Sequence, residues 1–415
     1  MKQLRKNVYI AAGYNTVSFG SGRKEFNPKK PMRTFEEYVV EAGRSTLTAL
    51  PDPSLVDEAV VGNFMAGRFL RQGNLPGFVG MLHEGLRHKP ATRVEGACCS
   101  GGLALATAMK TVLSDLSDIS LCLGFEIQNT VKAVYGADYL AAAGYYRGER
   151  KAGHAYFFPS KFSDRAGAYF QRYGGETARK GMARWYAQMV ENARLCPKAQ
   201  EHHNTLEDPE AAAMAAPNPK SFVEHLNYFD CSKVSDGASS LLFLSEEGVQ
   251  KAGLHRDRCA RLIGFGQAAR DITRPPEDLT VLDTTAAAVQ RALEMAGLSL
   301  EDLGFVEVHD CFTISAMLAL EAIGLTPPGT APQYVLDGHT RRDGKVPANA
   351  TGGLIGYGHY TGGTGVRQAV DLLDQLTGNA GPCQLSLDPA RPYGLMISMG
   401  GNDVTVVAMI FTRAV

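Results

Sequence analysis

The chain has 415 residues, 45% of them hydrophobic, and its 42 Lys and Arg against 43 Asp and Glu leave a net charge of -1. That length exceeds what a single core comfortably serves, so more than one domain or subdomain is expected. Near-neutrality excludes a bulk electrostatic drive toward nucleic acid or an anionic membrane, and no apolar run approaches the ~18 residues that cross a bilayer.

Residues 8–13 read as a first strand, because the apolar stretch behind the basic N-terminus is too short for a signal peptide. The C-terminal residues spell no peroxisomal or prenylation address, so a cytoplasmic protein is expected. Residues 34–47 carry helical amphipathic spacing, the chain turns at Pro51-Asp52-Pro53, and residues 58–62 read as a strand. A further strand-like run, Ala91-Thr92-Arg93-Val94, leads into Glu95-Gly96-Ala97-Cys98-Cys99-Ser100-Gly101-Gly102 and then an Ala/Leu-rich helix. A thiol at a helix N-terminus feels the positive end of the dipole, so Cys98 is expected to have a lowered pKa. Cys99 competes with it on composition alone. The eight cysteines show no paired-ligand spacing for zinc or a disulfide framework, and Cys122, Cys231, Cys259 and Cys383 read as packed thiols.

Residues 128–233 change character, with clustered Tyr, Phe and charge, and read as an inserted lid or substrate-binding subdomain. The strand pattern resumes at residues 239–244. The plan then repeats: helix at 284–296, connector at 299–303, strand at 304–309, the reactive segment Val308-His309-Asp310-Cys311-Phe312, and a helix from Ile314. Strand, reactive turn and helix in the same order twice suggest a duplicated α/β fold. Residues 352–365, Gly-Gly-Leu-Ile-Gly-Tyr-Gly-His-Tyr-Thr-Gly-Gly-Thr-Gly, are too glycine-dense for a helix or central strand and are expected to form a loop. His359 is the one strong acid/base group in that loop.

The segments Ala97-Cys98-Cys99-Ser100-Gly101, Ser235-Asp236-Gly237-Ala238, His309-Asp310-Cys311-Phe312 and Gly358-His359, in that order over nearly the whole chain, resemble the motif set of the thiolase superfamily. The His-Asp-Cys-Phe form is that of the branch holding sterol-carrier-protein-type and archaeal acetoacetyl-CoA thiolases. The resemblance implies an α/β thiolase fold: two duplicated βαβαβαββ halves in a layered α-β-α-β-α core. Its expected divisions are residues 1–127 with 234–256, the insertion 128–233, and residues 257–415.

The resemblance also implies roles. Cys98 is the acylated nucleophile, and His359 takes its proton and helps hold the thioester oxygen. His309 stands where many relatives have the Asn of an Asn-Glu-Ala-Phe segment. Many thiolases carry a second catalytic cysteine before a late Gly pair, but this chain reads Ile397-Ser398-Met399-Gly400-Gly401. A serine shuttles protons poorly beside a thiol of pKa about 8.5, so Cys311 is the expected acid/base at carbon. The N–H groups of Cys98 and Gly400 are the expected oxyanion hole, and Ser232 the expected contact to the pantetheine arm. Tyr360 replaces the usual proline after the loop histidine.

Coenzyme A is the implied co-substrate, with no permanently bound cofactor and no metal. A homodimer is expected, working beside a small zinc-ribbon/OB-fold partner subunit, with no nucleic-acid or membrane partner. The reaction implied is CoA-dependent cleavage of a 3-oxoacyl-CoA, or its reverse. Tyr145, Tyr146, Tyr156, Phe157, Phe158 and Tyr360 either face an aromatic acyl group, with Arg147, Arg150, Lys151 and Arg165 meeting a carboxylate or CoA phosphate, or form the insertion's own small core with those bases as its solvated face. The first reading points to a benzoylsuccinyl-CoA-type substrate, with acetoacetyl-CoA or a medium-chain 3-oxoacyl-CoA as the alternative. A related condensing acyltransferase and a non-catalytic scaffold are the competing functions.

Overall fold

The computed structural model describes residues 4–30, 32–150, 155–220 and 222–414. Its strands are β1 (Tyr9–Asn15), β2 (Glu58–Gly62), β3 (Ala91–Val94), β4 (Ile119–Glu126), β5 (Gly237–Leu244), β6 (Ala260–Ala269), β7 (Leu303–Glu307), β8 (Tyr393–Gly400) and β9 (Thr405–Arg413). They join in the spatial order β3-β2-β4-β5-β1-β6-β9-β8-β7. Outward from the β1/β6 seam, β5, β4 and β2 on one side correspond to β9, β8 and β7 on the other. The pairing senses match as well: antiparallel, antiparallel, then parallel. The copies differ at the edge, where the place of β3 is taken in the second half by one parallel bridge, Val306 to Ala348.

The longer helices are α1 (Phe35–Leu47), α2 (Ser100–Leu113), α3 (Ala133–Leu140), α4 (Phe157–Tyr173), α5 (Gly175–Leu195), α6 (Asp283–Ala296), α7 (Thr313–Ile323) and α8 (Thr364–Thr377). Helix α1 starts where Thr34 and Glu37 form a reciprocal capping box, which satisfies two otherwise orphaned N–H groups. Strands β4 and β5 are buried at every position, as expected for strands covered on both faces. Helices α2 and α8 supply the inner cover. Each touches strands of both halves, while α1 covers the first half and α6 the second from outside. The result is the α-β-α-β-α layering that the resemblance implied.

The two inner helices approach very closely. A Cβ on Gly101 of α2 would lie 2.8 Å from the Gly365 nitrogen of α8, and one on Gly365 would lie 2.8 Å from both the Gly101 carbonyl carbon and Ser398 Oγ. Only hydrogen atoms fit in this crossing.

The insertion is docked against the second half. Phe162, Tyr169, Trp185 and Met189 share a buried cluster with Ile314 and Leu318 of α7 and with Leu354. Within residues 352–365 the expectation of an unbroken loop is corrected: Gly353–Gly356 make one helical turn and α8 begins at Thr364. Gly352 and Gly358 adopt φ of 112° and 119°, which a side chain would resist. No helix among the described residues is long and apolar enough to cross a membrane.

The crossing makes a signed prediction for Gly365→Ala. Helix propensity alone would favour alanine by about 0.5–1 kcal/mol, whereas overpacking costs about 1–3 kcal/mol or more. The packing effect should win, lowering urea-unfolding stability by roughly 2 kcal/mol. Gly67→Ala, whose Cβ would meet nothing within 4 Å, is the neutral control. Equal stability for both variants would contradict the close approach.

Candidate active site

Cys98 lies on a 3-10 turn, Ala97–Cys99, between β3 and α2. The turn is braced by Ser100 Oγ, which accepts from the Gly96 N–H at 3.1 Å and donates to the Ala97 carbonyl at 2.6 Å. Ala97 is left at φ 55°, a left-handed conformation that costs a non-glycine residue about 1–3 kcal/mol. This sharp turn presents Cys98 to a cavity, while the fully buried Cys99 donates its thiol to the Ser398 carbonyl at 3.1 Å. Direction separates the adjacent cysteines: Cys98 faces the cavity and Cys99 the interior.

The expectation of a lowered Cys98 pKa is corrected. Loss of hydration, followed by the negative field of Glu126, pushes the thiol up to about 12, outweighing an N–H contact from Gly401 and the helix end. The helix dipole is a fraction of a charge; removing a thiolate from water costs more.

His309 follows β7, and His359 precedes α8. Their rings meet edge to face at 5.2 Å between centroids. The Cys98 sulfur and one ring nitrogen of each histidine lie within 4.8 Å of one another. The hydrogen bonds of the two Nδ1 atoms assign the tautomers. His309 Nδ1 accepts the Met399 N–H at 3.3 Å, so the neutral ring carries its proton on Nε2. For His359, Nδ1 lies 2.8 Å from Thr364 Oγ1, whose hydroxyl donates to the Tyr360 carbonyl at 3.2 Å. His359 Nδ1 thus donates to Thr364 and Nε2 keeps a lone pair. Neither Nε2 atom has a hydrogen-bond partner among the described residues. Burial lowers both histidines, His359 to about 3 with a further contribution from Arg367, and His309 with contributions from His359 and Arg367. The ligand-free centre is a neutral thiol between a neutral donor and a neutral acceptor.

Cys311 opens onto the same cavity just before α7, with its sulfur 3.7 Å from Ser315 Oγ. Burial, with Cys98 nearby, raises its pKa well above the ordinary value. Between His309 and Cys311, Asp310 turns inward and accepts from the Leu354 N–H at 2.7 Å and from Trp185 Nε1 at 3.1 Å. One buried carboxylate thereby ties the His309/Cys311 segment to the glycine-rich loop and to the insertion. Ser398 is fully buried against the α2/α8 crossing and is not part of the cavity wall.

The other sequence-derived positions divide. Ser232 lines the cavity and donates its N–H to the Cys311 carbonyl at 3.0 Å. Gly400 ends β8, where its lack of a side chain admits the Gly96 carbonyl; the N–H that reaches the Cys98 sulfur is that of Gly401. Of the expected aromatic residues, Tyr156 and Phe158 face the cavity. Tyr360 does not: it is fully buried against Gly237, with its hydroxyl 2.8 Å from Ser239 Oγ. Tyr145, Tyr146 and Phe157 also lie outside the wall. Arg165 is engaged by Asn402 and the Leu279 and Val281 carbonyls, Arg150 pairs with Asp138, and Lys151 falls outside the described residues. Cys231, expected to be packed away, borders the cavity.

Sequence reasoning missed Glu126. Fully buried at the end of β4, it accepts from the Phe64 and Met65 N–H groups at 2.9 and 3.1 Å and from Thr361 Oγ1 at 3.1 Å, and burial pushes it up to about 7. The available signal was a lone carboxylate closing an otherwise uncharged, mostly apolar strand. The cavity measures about 430 Å³, and Phe69, Phe162, Phe222 and Phe312 join Tyr156 and Phe158 in its wall.

A family model described as thiolase C-terminal domain-like matches residues 267–413. The chain is 33% identical over 386 residues to an acetyl-CoA acetyltransferase of Methanothermobacter thermautotrophicus, spanning 92% of this chain and 95% of that protein. It is 27% identical over 374 residues to the benzoylsuccinyl-CoA thiolase subunit BbsB of Thauera aromatica, spanning 90% of each. Among solved structures, the Ltp2-ChsH2(DUF35) aldolase superposes with a TM-score of 0.78 at 20% identity over 99% of both chains, a likeness of fold.

The neutral state of the centre is open to a direct test. In ligand-free protein, iodoacetamide should alkylate Cys98 slowly at pH 7, and the rate should climb about tenfold per pH unit to pH 9, as it does for a thiol titrating far above that range. A rate already level by pH 7 would indicate a thiolate–imidazolium pair and contradict the neutral assignment.

Proposed function

This chain belongs to the thiolase superfamily, and from that membership we propose that it is an acyl-CoA thiolase cleaving a 3-oxoacyl-CoA with CoA through an acyl group on Cys98. The observation that carries this reading is the convergence of the Cys98 sulfur, the His309 and His359 rings and Cys311 on one apolar cavity.

Cys98 attacks the 3-oxo carbon as its proton passes to the free Nε2 of His359. The N–H groups of Cys98 and Gly401, both near the Cys98 sulfur, hold the oxyanion formed there. Cleavage of the C2–C3 bond leaves its electron pair on C2, delocalised into the thioester oxygen as an enolate. His309 Nε2–H and the now protonated His359 stabilise that oxygen. Cys311 gives its proton to C2, releasing the first acyl-CoA, and recovers a proton from the thiol of incoming CoA. That CoA thiolate takes the acyl group from Cys98, which regains its proton from His359. The reverse sequence is Claisen condensation.

The cavity favours a bulky, aromatic acyl group. Its volume and ring-lined wall exceed what an acetoacetyl group would fill, and the similarity to the BbsB subunit points the same way. The second reading, an acetoacetyl-CoA substrate, is favoured by the higher identity to the archaeal acetyltransferase. CoA is the co-substrate, the location cytoplasmic and the chain a homodimer. A separate small zinc-ribbon/OB-fold subunit completes the enzyme, a reading supported by relatives whose names describe a subunit and a two-component assembly.

Incubation with benzoylsuccinyl-CoA, acetoacetyl-CoA and CoA, followed by peptide mass spectrometry, should find the acyl group on Cys98 and the higher kcat/KM for the aromatic substrate. Cys98→Ala should abolish turnover. Acylation at Cys99 or Cys311 would overturn the role assignment, and preference for acetoacetyl-CoA would establish the second substrate reading.

A further inference from the structure

We propose that Lys233 makes this site selective for 3-oxoacyl thioesters that carry a free carboxylate on the acyl portion. The proposal rests on the thiolase reading above and adds to it the charge of the substrate.

Lys233 is 8% exposed, and its Nζ is buried with no hydrogen-bond partner among the described residues. It is nonetheless part of the wall of the cavity that holds Cys98, His309 and His359, and no other lysine or arginine among the described residues lines it. Its compensating contacts are two rings, Tyr228 with its centroid 3.8 Å from Nζ and Phe229 at 6.0 Å. A ring face attracts a cation but does not replace the hydration lost on burial.

The nearby carboxylate is already committed. Asp230 accepts both Arg179 Nη atoms, at 2.7 and 2.6 Å, together with Thr313 Oγ1 at 2.6 Å and the Asn227 N–H at 2.8 Å. An unpaired ammonium on the wall of a preformed apolar cavity is a vacancy for an anion.

The backbone indicates which anion. Cys231 bridges to Phe312, the Ser232 N–H is bonded to the Cys311 carbonyl, and Val234 bridges to His359. Lys233 is therefore rooted between two of the three segments that carry the reactive groups, those of Cys311 and His359, within one side chain's reach of the reacting carbons. The phosphates of CoA stand the length of the pantetheine arm away from its sulfur, so an anion held by Lys233 belongs to the acyl group. A carboxylate branch on C2 of a 3-oxoacyl chain meets that requirement. A neutral analogue would leave the ammonium buried and unpaired, which is how a polar site rejects a substrate lacking its partner.

The test compares a 2-carboxymethyl 3-oxoacyl-CoA with its neutral carboxamide, using wild type, Lys233→Met and Lys233→Arg, with kcat/KM for each substrate and the KM for CoA as readouts. Wild type should favour the carboxylate by about a hundredfold. Lys233→Met should bring the two substrates within about threefold and Lys233→Arg should retain most of the preference, with the KM for CoA unchanged. A wild type indifferent to the carboxylate would overturn the proposal, whether or not the variants fold. So would a Lys233→Met enzyme that keeps the preference and binds CoA more weakly, since that places the lysine on a phosphate. Cys98 acylation by both substrates without preference sinks this inference alone; no acylation by either sinks the thiolase reading beneath it.

Discussion

The crossing of α2 and α8 through Gly101, Gly102 and Gly365 sets the dimensions of everything around it. The turn bearing Cys98 enters α2 directly, and the loop bearing His359 enters α8 directly. How closely those helix ends approach therefore governs how closely the sulfur and the imidazole approach. The same helices fill the space between the two half-sheets, so the core that stabilises the duplicated fold also aligns the reactive groups. A methyl group at this crossing would disturb packing and chemistry together.

Depth of burial then decides the chemistry. Cys98, His309, Cys311 and His359 all sit where a charge loses its hydration, and each is held in its neutral form. The hydrogen bonds outside the cavity distinguish the otherwise similar histidines. Met399 makes His309 a donor, and Thr364 makes His359 an acceptor. In the proposed reaction this neutral centre gains charge only as substrate arrives, when the oxyanion and the imidazolium form beside each other. Lys233 stands apart in this environment: its buried Nζ has ring faces against it but no hydrogen-bond partner among the described residues.

Much of this was legible in the sequence because it depends on local pattern. The strand, turn and helix around Cys98 and Cys311 follow from apolar runs broken by small residues, and the order of four motifs carried the family. What was not legible depends on where side chains point and how much water remains. The dipole argument for Cys98 was sound in sign but small beside desolvation. Tyr360 suggested a pocket wall because of its place in the motif, yet it turns into the core toward Ser239. Phe69 and Phe222 reach the cavity from segments outside the four motifs. Glu126 and Lys233 gave no periodic signal, since each matters through burial alone. The shortened edge of the second half, a bridge at Ala348 where the first half has β3, was hidden by the lack of sequence identity between the copies.

The central claim is that proton transfer at carbon has passed to Cys311, with Ser398 confined to the helix crossing. The most direct measurement is exchange of the α-protons of a saturated acyl-CoA with D2O, followed by NMR, because it isolates that step from acylation and cleavage. The account predicts exchange by wild type and by Ser398→Ala, and none above background by Cys311→Ala. Exchange that persists without Cys311, or disappears with Ser398→Ala in a protein of unchanged stability, would contradict it.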